Sequence, residues 1–239
     1  FDVHRLMYLP SCSKDAEPVF IEGEGDPICV DDLLAEYEDW QDVMSWPRHP
    51  EETKALMTAT TKAQDPREKM GTIGLFCRAF TIEEGIEKFL SDVYTPGTMH
   101  NRFTYLYGTS ANGLEIYPDQ ELAYSHQDSD PVADGRTYNL FDLVRVHKFG
   151  HLDENVKEFT PDAKKPSHLA MEHWAVQLPE VKRLAGAEMM SDLQSDFADE
   201  FNNDDEGETE EDNKWIEELE LHSKTGRVLP TAGNVELTS

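Results

Sequence analysis

The chain has 239 residues, 21 Lys and Arg against 49 Asp and Glu, and a formal net charge of −28. That length allows one full-sized core or two small ones. The charge argues against a phosphate backbone as the general partner, because Lys and Arg drive that binding by releasing counterions. Apolar runs of the LFCRAF and LFDLVRV kind fall short of the roughly 18 consecutive apolar residues that a membrane span needs. Cys12, Cys29 and Cys77 stand far apart with no C-x-x-C pair, which disfavours a disulfide framework or ribbon-type zinc site and points to a reducing cytoplasm. The first residues, FDVHRLMYLP, lack the basic-then-apolar layout of a secretory leader, and the chain reads as an internal segment of a larger protein.

In chain order, an extended start gives way to a helix through LLAEYEDW, capped by Asp31 or Asp32, with Leu33, Leu34 and Tyr37 on one side. SWPRHPEE is a break. Pro50 with Glu51 and Glu52 opens a second helix through ETKALMTATTKAQ, closed by Asp65-Pro66. In GTIGLFCRAFTIEEGIEKFL, Thr81 and Glu84 make a capping box ahead of an apolar stripe of Ile82, Ile86, Phe89 and Leu90. The period then changes. RFTYLYG, GLEIYP and ELAYSH alternate and are rich in aromatic residues, separated by Gly108 to Gly113 and by Pro118-Asp119, and they predict a three-stranded antiparallel sheet. YNLFDLVRVHKF returns to helical spacing through Leu140, Leu143, Val144 and His147, and Gly150 stops it. A further helix runs from Lys164 to about Leu184, where Pro179 must kink or split it. The tract NNDDEGETEEDN is too acidic and polar to bury a core and reads as a disordered linker. Past it, Trp215, Ile216 and Leu219 make a short amphipathic turn before an extended end.

The expected fold class is therefore α+β, mainly helical, with a small three-stranded sheet in its central unit. The expected divisions are an extended segment and small helical unit at 1–68, a central α+β unit at 69–152, a helical segment at 153–200, the acidic linker at 201–213, and a lead-in to a further domain at 214–239.

No G-x-x-x-x-G-K-[ST] loop occurs, and Gly113 is followed by Leu114 rather than by a phosphate-reaching lysine. G-x-S-x-G and H-E-x-x-H are also missing, so no complete catalytic motif is present. In YSHQDSDP, His126, Asp128 and Asp130 at alternate positions could offer a divalent cation one imidazole and two carboxylates. The same residues before Pro131 are what a turn requires, and the turn is the favoured reading. His147, His151, His168 and His173 straddle different elements and read as structural or solvated. Arg78, Arg102, Arg136, Arg145 and Lys148, interleaved with Phe103, Tyr105, Tyr107 and Tyr124, have the composition of a single-stranded nucleic-acid grip, though such aromatic residues also serve as the core of a small sheet.

Several strings, taken together, resemble the virulence-associated E proteins of prophages and plasmids, which join a primase-polymerase-like region to a ring-type replicative helicase. They are FDVHRLMYLPSCSKD, LLAEYEDWQDVMSWP, the central run from GTIGLFCRAF through RFTYLYGTSANGLEIYPDQELAYSHQDSDP to YNLFDLVRVHKFGHLDE, and KWIEELELHSKTGRVLPTAGNVEL. The resemblance is to the connector between the two enzymatic regions. Where the family commonly shows two adjacent histidines, this chain has His126-Gln127, which weakens a metal site there. The strand–strand–strand–helix order is also similar to zinc-ribbon modules of replicative primases, with an aromatic core in place of cysteine ligands.

The resemblance implies a non-catalytic connector in a bacterial or phage-infected cytoplasm, with the adjoining primase-like and helicase domains as partners and single-stranded DNA as a candidate contact through Arg102, Tyr105, Arg136, Arg145 and Lys148. No cofactor is expected here; ATP and magnesium would belong to the adjoining enzymatic domains. The competing expectation is an acidic module that binds a basic protein partner or a host replication factor.

Overall fold

The structure, a computed structural model, describes residues 29–47, 64–157, 159–196, 216 and 218–231. The expected helix after Pro50 and the acidic linker at 201–213 lie outside the described residues, as does Cys12.

Helix α1 (Val30–Leu34) is shorter than the sequence suggests and begins earlier, with Cys29 in the cap position and Asp31 and Asp32 inside the first turn. Both carboxylates thus complement the helix dipole. The chain then crosses the sheet unit as a strap. Val43 is buried, its N–H donates to Ala111 O at 3.1 Å, and Ala111 N–H donates to Gln41 O at 2.7 Å. Asp42 caps the single turn at Val43–Ser45 by accepting from Met44 N–H, and its carboxylate also accepts from the Asn112 side-chain amide at 2.8 Å.

Helix α2 (Thr72–Ala79) follows, and α3 (Ile82–Phe89) carries the capping box that the sequence announces. Thr81 Oγ1 accepts from Glu84 N–H at 3.3 Å, and the Glu84 carboxylate accepts from Thr81 N–H at 3.0 Å. Five strands rather than three form one antiparallel sheet in sequential order: β1 (Tyr94–Pro96), β2 (Arg102–Tyr105), β3 (Leu114–Tyr117), β4 (Leu122–Ser125) and β5 (Tyr138–Asn139). The two additional strands sit at the edges. β1 ends in Pro96, tolerated there because an edge strand leaves its outward N–H positions unpaired. β5 is two residues long, and its Asn139 side chain already accepts from Asp142 N–H to cap the next helix.

Helix α4 (Leu140–Phe149) is central, with Leu140, Phe141, Leu143 and Val144 buried among α2, α3, β4, β5 and α5 (Pro166–Ala175). Pro179 splits the long helical run, and α6 (Pro179–Asp196) starts there. Phe76 anchors the aromatic centre, with ring centroids of Phe80, Phe89, Phe141 and Trp174 within 5.3 to 6.2 Å. Offset and edge-on pairs of this kind add to the burial energy.

The C-terminal residues join the same core. Ile216, Leu219 and Leu221 are buried with the residues of α2, α4 and α6. A hairpin pairing Leu221 with Val228 docks on the start of α2, where Thr72 N–H donates to Lys224 O at 3.2 Å and the Thr72 hydroxyl donates to Ser223 O. Gly226 adopts φ 65°, and a Cβ there would stand 2.8 Å from Leu75 Cδ2. A side chain at this position would separate hairpin and helix.

Candidate functional site

The sheet and α4 set the positions of the expected DNA-contacting residues. Arg102 is 5% exposed; β2 and β3 place it directly opposite Glu115, whose carboxylate it meets at 2.8 Å, and it also donates to Asn112 O at 3.2 Å. This is an opposite-charge cross-strand pair at a buried register position. Arg145 is 5% exposed and is held by Asp142 at 3.0 Å, Ser167 at 2.9 Å and Asp153 at 3.8 Å. Tyr105 is buried against the rings of Tyr94 and Tyr107, and burial, with Asp130 and Tyr107 nearby, raises its hydroxyl pKa.

Arg136 is largely exposed and is tied to Asp134 at 2.7 Å, to the Tyr138 hydroxyl at 3.1 Å and, more distantly, to Asp162 at 3.9 Å. Its hydrogen bond with Asp134 pushes its pKa up further. Lys148 is exposed, with its ammonium 5.1 Å from the Trp174 ring centroid. Of the five, then, Arg136 and Lys148 present cationic heads to solvent, while Arg102 and Arg145 are interior ion pairs. Arg78, counted with the basic group, is paired with Glu188 at 2.8 Å.

The candidate metal residues serve separate partners. His126 Nε2 meets Glu115 at 3.0 Å, Asp128 is exposed, and Asp130 is buried. Among the described residues no three His, Cys, Asp or Glu side chains come together in a way that could hold a metal ion. Asp130 shapes a turn, its N–H donating to Gln127 O at 2.8 Å and its carboxylate accepting from Val132 N–H at 3.2 Å.

Sequence spacing gives no sign of what Asp130 does inside. Its Oδ2 accepts from the hydroxyls of Tyr94 and Ser125, both at 2.8 Å, and His147 Nε2 stands 2.7 Å from the Tyr94 oxygen and 3.4 Å from Asp130 Oδ1. Burial alone would raise the Asp130 pKa, but hydrogen bonds from His147, Tyr94 and Ser125 hold it below the ordinary carboxylate value. The Tyr94 hydroxyl is pushed far up, first by burial and then by the Asp130 charge. The network joins β1, β4, the loop after β4 and α4. The Asp130 and His147 side chains are almost wholly enclosed, so the arrangement cross-links the fold and offers no reacting atom to solvent.

The outward-facing chemistry lies on the strap. Residues 29–47 contain six carboxylates (Asp31, Asp32, Glu36, Glu38, Asp39 and Asp42) and no Lys or Arg. The same stretch exposes Val30, Leu33, Trp40, Met44 and Trp46, with Trp40 at 49%. Trp46 Nε1–H donates to Trp40 O at 2.8 Å, which fixes this exposed turn. Beside it, Met44 and Met99 line a depression of about 350 Å³ that Tyr117, Pro118 and Asp119 continue. A larger cleft of about 900 Å³ lies between α2, α6 and the C-terminal hairpin, with Lys69, Lys224 and Arg227 set against Glu68, Glu188 and Asp192.

Among the described residues no helix is long and apolar enough to cross a membrane. No protein of curated function and no solved structure matches the chain. Residues 1–49 match the family model for the VapE N-terminal domain, and the strap just described falls inside that stretch. The match supports a relationship between this chain and VapE-type proteins.

Proposed function

We propose that the chain is a non-catalytic connector and accessory region of a DNA-replication primase–helicase of the VapE type. It holds a primase-polymerase-like module and a ring-type helicase module in a defined relation. One observation carries this reading. Within the stretch matching the VapE N-terminal domain, the described residues 29–47 do not hang from the α+β unit but are fastened to it, through the backbone pairing of residues 41–43 with Ala111 and the Asp42–Asn112 hydrogen bond. A segment so fastened transmits orientation to whatever adjoins it, which a loose linker does not.

A second reading, an acidic module that contacts a basic protein partner, draws support from the same coordinates of charge. Arg102, Arg145 and Arg136 already have carboxylate partners within a chain of net charge −28. Single-stranded DNA is then a secondary contact, with Lys148 and Arg136 as the side chains that would meet it.

The test adds the whole 239-residue chain to separately expressed VapE-type primase-polymerase-like and helicase modules and follows association by sedimentation velocity. Association with at least one module is expected, and association with neither would overturn the connector reading. In parallel, anisotropy of labelled single-stranded DNA is followed across a salt series. Tight DNA binding without module association would move the function to the strand.

A further inference from the structure

We infer that the strap and the adjoining Met44–Met99 depression form a docking surface for a basic amphipathic segment of a partner protein, one that interleaves Lys or Arg with large apolar side chains. The inference rests on the protein-contacting reading above and names its surface.

The argument starts from exposure. Five large apolar side chains stand open within residues 29–47, and Met99, from the β1–β2 turn, adds a sixth at 52%. Met44 and Met99 share one depression, and exposed apolar surface bordered by polar groups marks a place where another surface sits. The strap is also held in place, by the backbone pairs to Ala111, the Asp42–Asn112 bond and the Trp46–Trp40 bond, so it is pre-organised for binding.

Charge then selects the occupant. All six ionisable carboxylates of the strap carry the same sign, and Asp119 adds another at the rim of the depression. Arg102, which also lines it, is matched by Glu115. Phosphate backbones are repelled by such a surface. A second copy of the chain would bring the same carboxylates against themselves. A segment with Lys and Arg flanking apolar anchors satisfies both features at once, its apolar groups against Met44 and Met99 and its cations on Asp119 at the rim and on the exposed carboxylates, Glu36 and Glu38, that precede Met44 along the strap. This is the helix-in-groove mode with an acidic rim.

The probe is a fluorescein-labelled amphipathic Leu/Lys peptide, titrated into the whole chain by anisotropy at several salt concentrations. The expected result is one-to-one binding that weakens with salt. The double variant Met44→Ser/Met99→Ser should weaken it about tenfold, the size expected when apolar contacts of this area are removed. Glu36→Gln/Glu38→Gln should weaken it several-fold, while Glu83→Gln/Glu87→Gln on α3, an equal change of charge, should leave it within about twofold. All of these positions are partly or fully exposed, so each variant is expected to keep the fold, with circular dichroism as the check.

Equal losses in the two carboxylate pairs would show general attraction to an acidic protein and overturn the proposal, as would indifference to Met44 and Met99. Concentration-dependent self-association that is lost in Met44→Ser would assign the surface to a second copy and overturn it too. If the enzymatic modules associate but the peptide does not bind, the surface assignment falls and the connector reading stands. Peptide binding without module association leaves the surface and removes the connector.

Discussion

The buried carboxylate of Asp130 gives the sharpest test of what holds sheet and helix together. Asp130→Ala removes the acceptor for the Tyr94 and Ser125 hydroxyls and for Val132 N–H, and takes away the carboxylate that stands beside His147. Each buried donor left unsatisfied costs about 1–3 kcal/mol, and loss of one partner from a buried charged network costs about 3–5 kcal/mol in total. Against a whole-protein stability of about 5–15 kcal/mol this is a large fraction, and for a chain of this size it lowers Tm by about 6–20 °C. Thermal melts followed by circular dichroism and urea titrations with a fixed m-value measure it. Asp130→Asn keeps the shape but removes the charge and turns one of the two acceptor oxygens into a donor. Because the folded pKa of Asp130 lies below its unfolded value, its ionisation contributes stability that is complete above about pH 4 and is lost as pH falls through the folded pKa. The Asn variant should therefore lose less stability on acidification than the parent. A melt for Asp130→Ala within about 2 °C of the parent would refute the idea that this network ties β1 and β4 to α4.

Thr81→Ala should destabilise the fold by about 1 kcal/mol through loss of the α3 cap. Because the Thr81 backbone and hydroxyl bonds lower the Glu84 pKa, that loss should be smaller in acid, with urea denaturation at two pH values as the check. The Cys77 thiol, pushed up to about 12 by burial, should resist a thiol-reactive dye at pH 8 until the protein unfolds, whereas exposed Cys29 should react in the native state. Gly226→Ala forces a side chain into φ 65° and against Leu75, at about 1–3 kcal/mol, and should expose residues 218–231 to limited proteolysis before the rest. Lys148→Ala with Arg136→Ala should abolish any salt-sensitive DNA binding, whereas Arg102→Ala and Arg145→Ala should lower Tm, since each empties the space of a buried guanidinium and leaves a half-buried carboxylate partner behind.

Much of the fold is legible in the sequence where one element carries a complete local signal. The capping box at Thr81 and Glu84, the apolar stripe of α4, the alternation in β2, β3 and β4 and the helix break at Pro179 are all of this kind, and the α+β class follows from them. β1 and β5 are only three and two residues long, too short to show a period, and exist because β2 and β4 provide partners for them. Helix α1 ends at Leu34 although apolar spacing continues to Tyr37, and further on residues 41–43 pair with Ala111, a contact that no local pattern announces.

The site was harder to read for a related reason. Arginine is ordinarily a surface residue, so Arg102 and Arg145 look like cations offered to a ligand. What places them inside is a carboxylate brought by the sheet register in one case and, in the other, Asp142 three residues earlier on α4 joined by Asp153 and Ser167 from outside the helix. No spacing rule links Tyr94, Asp130 and His147, which meet only after the meander has closed and α4 has crossed it. Of the exposed apolar residues of the strap, only Leu33 belongs to the helical side that the sequence suggests with Leu34 and Tyr37; Val30, Trp40, Met44 and Trp46 carry no such signal.

The fastening of the strap also sets how the molecule responds to a pull. Its hold on the sheet unit is a pair of backbone hydrogen bonds and one amide–carboxylate bond gathered around Ala111 and Asn112. Tension applied through the preceding chain falls on those few bonds one after another, as in opening a zipper, whereas the five-stranded meander and the aromatic centre behind it would have to yield together. The strap is thus the first part of the described fold to yield under load: below that load it carries orientation, and above it the sheet and helices keep their shape while it peels.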